Sequence, residues 1–291
     1  ADLTVLSSAQ LLILSSSQIQ ALSTAQMVEL TSLQLAGLSS AAVAVLTSQQ
    51  LFVLSDANRN YLDVASIASL GSTQIAGLTT SQFAGLNTTT IAALNTITVS
   101  NLSTAQIAAL TTDQAFNLTS TTVKALTTRQ LAVLETSDLE VLTSSNIAVL
   151  SSVQLQALTT SQIAGLTTQQ VFALSTTSLR LLTTAQIVAL ETRDVAVLGA
   201  TSIESLLTTQ LQALTTSQIA GLTTQQVSEL STNTLKYLTT TQVAAIESED
   251  IMVISDVSLG ALSSTQVAAL TTTQKMALST TQFALLANPG N

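Results

Sequence analysis

Leu214-Thr215-Thr216-Ser217-Gln218-Ile219-Ala220-Gly221 is one eight-residue unit, and the same eight residues fill Leu158 to Gly165. The unit carries a helix-start signature. Thr215 follows a leucine and suits an N-cap, its hydroxyl accepting a bond from a backbone N–H that the helix itself leaves orphaned. Three residues on, Gln218 can reach back to the N–H of the cap residue and complete a capping box. Leu214 before the cap and Ile219 after the glutamine then stand at the two positions of a hydrophobic staple. The octad predicts a helix of one to two turns, stopped by the cap of the octad that follows.

Working outward, a leucine recurs at Leu6, Leu14, Leu22, Leu30, Leu38 and every eighth residue to Leu286, with Ile246 and Ile254 as replacements. No insertion breaks that frame. A second apolar residue follows each leucine by five, from Leu11, Ile19 and Met27 through Ile163 and Val171 to Phe283, with Arg59, Ala115 and Lys275 as exceptions. The consensus is L-[ST]-[ST]-x-Q-[ILV]-A-x. At the cap position Asp63, Asn87, Asn95, Gly71 and Gly199 are acceptable substitutes for Ser or Thr. Glycines at the eighth position, Gly37, Gly77, Gly85, Gly165 and Gly221, suit a helix C-terminus closed by a left-handed residue.

Helices this short do not persist alone in water, because nucleation costs more than one turn returns. Their stability must come from stacking. Two large apolar side chains per octad, each contributing about 1.5–3 kcal/mol when fully buried, would form a thin continuous core. The Thr, Ser and Gln positions would face outward or ladder between coils. The expected fold class is an all-α repeat, a solenoid or superhelix of very short capped helices, one per octad. It would run as a single domain over 1–291, with repeats over 6–285 and an end segment at 286–291 where Pro289-Gly290 acts as a terminator. A β-solenoid is the alternative, since Thr, Val and Ile favour strands. Frequent Ala, Leu and Gln, few corner residues and no two-residue alternation stand against it. One long helix is disfavoured, because eight residues at about 100° each drift by about 80° per repeat and wind the apolar positions around the rod.

A longer period overlies the octad. Leu155 to Val171 is identical to Leu211 to Val227, seven octads away. Lys124, Arg180 and Lys236 recur at that step, as do Glu135, Glu191 and Glu247, and Asp138, Asp194 and Asp250. The step would align these charges only if seven octads make a whole number of solenoid coils. The Glu-x-x-Asp pairs put carboxylates at the cap and third helical positions. Such pairs could hold a cation or act as an acid pair, yet negative charge also suits a helix start, and Arg193 within one pair suits a salt link better than a metal. Lys124, Arg180 and Lys236 are candidate partners for the acids ten to fourteen residues on. Phe52, Phe116 and Phe172 take the seventh position, where Ala is usual, either as exposed contact points or as core filling. Sequons start at Asn87, Asn101 and Asn117, at the frequency a Thr-rich chain produces by chance.

Composition narrows the function. The chain has no His, no Cys and no Trp. It therefore lacks the usual general base near neutral pH, a thiolate nucleophile and the usual zinc ligands. No catalytic, cofactor-binding or metal-binding residue is assigned, and an enzyme is not expected. A net charge of -9 with only 7 basic residues opposes nucleic acid and anionic lipid. Mean hydropathy is high, +0.51, but a Ser/Thr pair interrupts every apolar run well short of the roughly 20 residues of a spanning helix, so membrane insertion is not expected. Ala1-Asp2-Leu3 shows neither the basic start nor the apolar run of a signal peptide, as expected of a mature product or an internal start.

The run L-T-T-S-Q-I-A-G-L-T-T-Q-Q-V from Leu158 to Val171 resembles the A-L-T-T-x-Q-I-x-A-L arrays of very large secreted or surface proteins of proteobacteria. That resemblance implies an extracellular, bacterial structural role and supplies no catalytic residues. The leading expectation is a self-associating subunit of an extracellular filament, sheath or stalk, because neither end shows a distinctive polar cap. The alternative is an adhesin-like segment that presents Thr rows to a glycan, a surface or ice, which would require strands.

Overall fold

The computed structural model describes residues 3–54 and 70–287. Arg59, Asp63 and Pro289-Gly290 lie outside that range. Among the described residues there is no strand, and after a 3-10 helix at Leu3–Val5 come 33 short α-helices, one per octad. The all-α repeat is therefore the fold, and the β-solenoid alternative falls away. The chain divides between Ala157 and Leu158 into two compact units, each built in the same way.

The helices start where the caps predict. Thr215 is extended, at φ -70 and ψ 159, and the helix Thr216–Ala220 follows it. Some octads end in a right-handed residue at the eighth position, as here at Gly221; in others the next leucine position turns extended, as at Ile246 (φ -61, ψ 132) after Thr240–Ala245. In the second case extended backbone at the first two octad positions, Ile246 and Glu247, joins one helix to the next.

The glycines correct one expectation. Gly37, Gly77, Gly85, Gly165 and Gly221 have φ of -83, -76, -79, -86 and -89, so none is left-handed. Gly37, Gly77 and Gly221 instead answer a need for space. A Cβ on Gly77 would stand 2.5 Å from the Ser48 Cβ, one on Gly37 would stand 2.7 Å from the Ser8 Cβ, and one on Gly221 would collide with the Thr192 methyl. Each of these partners belongs to the preceding coil. Gly37, Gly77 and Gly221 mark places where backbone meets the neighbouring coil closely.

Within each unit, described helices pack on the third one along. Thr192–Val197 lies between Thr168–Phe172 and Thr216–Ala220, and in the first unit Ser120–Ala125 lies between Thr96–Ser100 and Ser144–Ala148. Three octads thus make one coil. Seven octads are not a multiple of three, so Lys236 does not stack over Arg180, nor Asp250 over Asp194. The long charge period does not build a one-sided face in the second unit.

The core consists of the first and sixth octad positions, which supply Leu214, Ile219 and Leu222, all at most 4% exposed. Ala115, the small exception at the sixth position, is buried as well. The outermost coils show what a coil loses without a neighbour. Leu6, Leu14 and Leu22 are only half-buried while Leu11, Ile19 and Met27 in the same octads are fully buried. At the other end the pattern reverses, with Val267 and Lys275 half-buried and Phe283 exposed below buried Leu262, Leu270 and Leu278. First-position leucines are therefore covered by the coil before, and sixth-position side chains by the coil after. No octad shelters both of its apolar residues by itself.

Candidate functional site: the buried amide ladder between coils

The fifth octad position connects one coil to the next. Gln218 is 2% exposed and makes bonds in two directions. Its Oε1 accepts the Thr215 N–H at 2.8 Å while its own N–H donates to the Thr215 hydroxyl at 3.1 Å, which is the capping box the sequence predicts. Its Nε2 donates to the carbonyls of Ile187 at 2.9 Å and Leu190 at 2.6 Å, on the preceding coil. Gln130 repeats the arrangement in the first unit, donating to Val99 and Leu102, both at 2.8 Å. Gln50, Gln106, Gln226 and Gln274 do the same.

This second task has a physical cause. The first-position leucine is extended and non-helical, so no helical N–H is aimed at its carbonyl. A buried carbonyl without a partner costs about 1–3 kcal/mol. The glutamine amide supplies the donor, and one planar group satisfies backbone of two successive coils. The sequence showed the glutamine as a cap partner and left open whether such positions face outward or ladder. They ladder. A signal was present, because the fifth position never carries Glu, although Glu would complete a capping box equally well.

The acidic octads are the departures from this ladder. Asp138, Asp194 and Asp250 replace the glutamine and are 1%, 0% and 6% exposed. At the caps, Glu135 and Glu247 make no side-chain cap bond. The Glu191 N–H donates to Asp194 Oδ2 at 3.2 Å, and Arg193 Nε stands 2.7 Å from Glu191 Oε2, so the salt link forms. Burial pushes the Asp194 carboxyl above its ordinary range, against the Glu191 N–H and the Arg193 charge, with Glu191 adding to the rise. Burial likewise raises Asp138, opposed by the Thr112 hydroxyl and assisted by Glu135. Asp138 Oδ2 and Asp194 Oδ1 are buried without a hydrogen-bond partner.

The remaining sequence candidates are dispersed. Lys124, Arg180 and Lys236 are exposed in the last turns of their helices, and among the described residues no ion pair joins them to the Glu-x-x-Asp acids. Their position favours the negative end of the helix instead. Phe52, Phe116 and Phe172 are 48%, 60% and 69% exposed, which removes the core-filling reading. Asn87 caps its helix, and the amides of Asn101 and Asn117 bond local carbonyls at 2.8 Å. Among the described residues no three acidic side chains converge on a point, and no helix is long and apolar enough to cross a membrane. A cavity of about 360 Å³ beside Gly199, lined by residues that include Val197, Thr223 and Gln225, has no ionisable side chain in its wall.

A family model described as the ALTTAQ repeat matches residues 1–32, 131–168, 187–224 and 243–280, just over half of the chain. The last three matches begin seven octads apart, and each contains one of the Glu-x-x-Asp pairs. No curated protein matches the chain.

Proposed function

Because this chain belongs to the ALTTAQ repeat family, we propose that it is a non-catalytic structural element that self-associates, coil against coil, into an extracellular filament, sheath or stalk. One observation carries the proposal. Every coil shows its neighbour two unfinished surfaces, an apolar row that the neighbour must cover and a row of polar groups that the neighbour must bond. The half-buried Leu6, Leu14, Leu22 and Val267, and the exposed Phe283, belong to such apolar rows. A further coil, from the same polypeptide or a second copy, satisfies both rows at once, which is how repeat solenoids extend. Charged residues are only 8% of the chain, so few charges stand between stacked coils to oppose that growth.

The alternative in which flat Thr rows meet ice or a glycan draws no support from helical octads, which place the threonines at caps rather than along strands. Sedimentation velocity over a concentration series, with electron microscopy of the same samples, tests the proposal. Elongated assemblies that grow with concentration are expected. Monodisperse monomers at the highest concentration would overturn it.

A further inference from the structure

The fifth-position side chain donates a hydrogen bond to the preceding coil through several different residue types. Asn146 Nδ2 donates to the Leu118 carbonyl at 3.0 Å, Thr98 Oγ1 to Leu70 at 3.4 Å and Ser258 Oγ to Leu230 at 3.3 Å. In each case, as for Gln218 and Leu190, the acceptor is the first-position carbonyl 28 residues earlier. Asp194 stands in the same register, where the corresponding carbonyl is that of Leu166. Its two oxygens divide the work of the glutamine. Oδ2 accepts the N-cap N–H as Gln Oε1 does, which leaves Oδ1 as the atom to serve the preceding coil, and Oδ1 is buried and without a hydrogen-bond partner.

An ionised Oδ1 in that place would oppose a carbonyl oxygen with no water to separate them, which is among the costliest arrangements a buried charge can meet. A protonated acid supplies the missing donor. We infer that Asp194 is held as a neutral carboxylic acid in the folded chain and donates its O–H to the Leu166 carbonyl, making this octad an acid-tightened joint between coils. The same replacement, with the same kind of unpartnered oxygen, occurs at Asp138 in the first unit.

The surroundings of Asp194 agree with this assignment. Thr168–Phe172 and Thr216–Ala220, the helices packed on either side, carry no ionisable residue. The charges near it belong to its own octad. Arg193 Nε is 4.0 Å from Oδ1 but 2.7 Å from Glu191 Oε2, so its charge is matched at the exposed glutamate rather than at the buried aspartate.

The direction of the pH effect follows from the raised folded-state pKa. A group raised on folding contributes stability that is present below the ordinary carboxylate range and is lost as pH rises through its folded pKa. The full chain should therefore lose denaturation midpoint through this group as pH rises above the ordinary carboxylate range, and Asp194→Asn, which keeps a donor at every pH, should not. The two midpoints should converge at the acid end, with the variant the more stable at the alkaline end. An infrared difference spectrum of the full chain minus the variant should show a protonated carboxyl band at a pH where exposed carboxylates are ionised. Absence of that band, or a variant less stable than the full chain at the alkaline end, would overturn the assignment. So would a midpoint raised by calcium chloride in the full chain and not in the variant, because the unpartnered oxygen would then serve a cation. None of these readouts depends on filament formation.

Discussion

Replacing Gln218 by Leu keeps its bulk and removes both of its tasks. Three hydrogen bonds disappear, from the Thr215 N–H and to the Ile187 and Leu190 carbonyls. The Ile187 carbonyl also accepts the Leu190 N–H at 3.3 Å and keeps a partner. The Leu190 carbonyl is then buried with no donor, at about 1–3 kcal/mol. The Thr215 N–H is orphaned as well, but Thr215 is half-buried, so water reaches it and the cost is nearer 1 kcal/mol. The sum is a loss of about 2–4 kcal/mol. Urea denaturation of the full chain measures the change, with Gln225→Leu as control. Gln225 is exposed and its side chain bonds the exposed Glu229, so its loss should stay within about 0.5 kcal/mol. Hydrogen exchange at the Gln218 octad and at the octad three before it should quicken together, because the amide spans both. Equal effects from the two variants, or quickened exchange confined to the Gln218 octad, would refute the ladder as the joint between coils.

Other perturbations separate packing from capping. Gly77→Ala should cost about 1–3 kcal/mol in thermal unfolding, because its Cβ would overlap Ser48, whereas Gly260→Ala, with nothing within 4 Å, should be neutral or stabilising by up to about 1 kcal/mol. Thr215→Ala should lose about 1 kcal/mol through the cap alone, leaving the Gln218 bonds to the preceding coil in place, as hydrogen exchange at Leu190 and its neighbours would show. Ile219→Ala removes a side chain 1% exposed and should cost about 2–5 kcal/mol in urea, while Phe172→Ala, 69% exposed, should leave the midpoint unchanged within about 0.5 kcal/mol.

Much of this architecture could be read along the chain because its causes act over a few residues. The cap, the back-bond from Gln to cap and the staple all lie within Leu214 to Ile219, so the octad by itself specifies where a helix starts, while the strand alternative fell only to the fold. Absent histidine and cysteine, and few basic residues, take imidazole, thiolate and basic-cluster chemistry out of consideration before any fold is known. The eighth-position glycines were misread for the opposite reason. Local rules suggest a left-handed cap, whereas Gly77 and Gly221 answer to Ser48 and Thr192, a whole coil away.

The octad determined the local helix and the identity of its two apolar positions, since short-range sterics and backbone bonds suffice for both. Only the tertiary structure decided that three octads close a coil, because that number depends on how the extended joints angle successive helices, which no single octad records. It also decided what lies beyond the fifth position. Gln218 and Asp194 both accept a cap N–H from their own octad, and only the carbonyl that the preceding coil brings to them distinguishes a satisfied amide from an acid that must keep its proton.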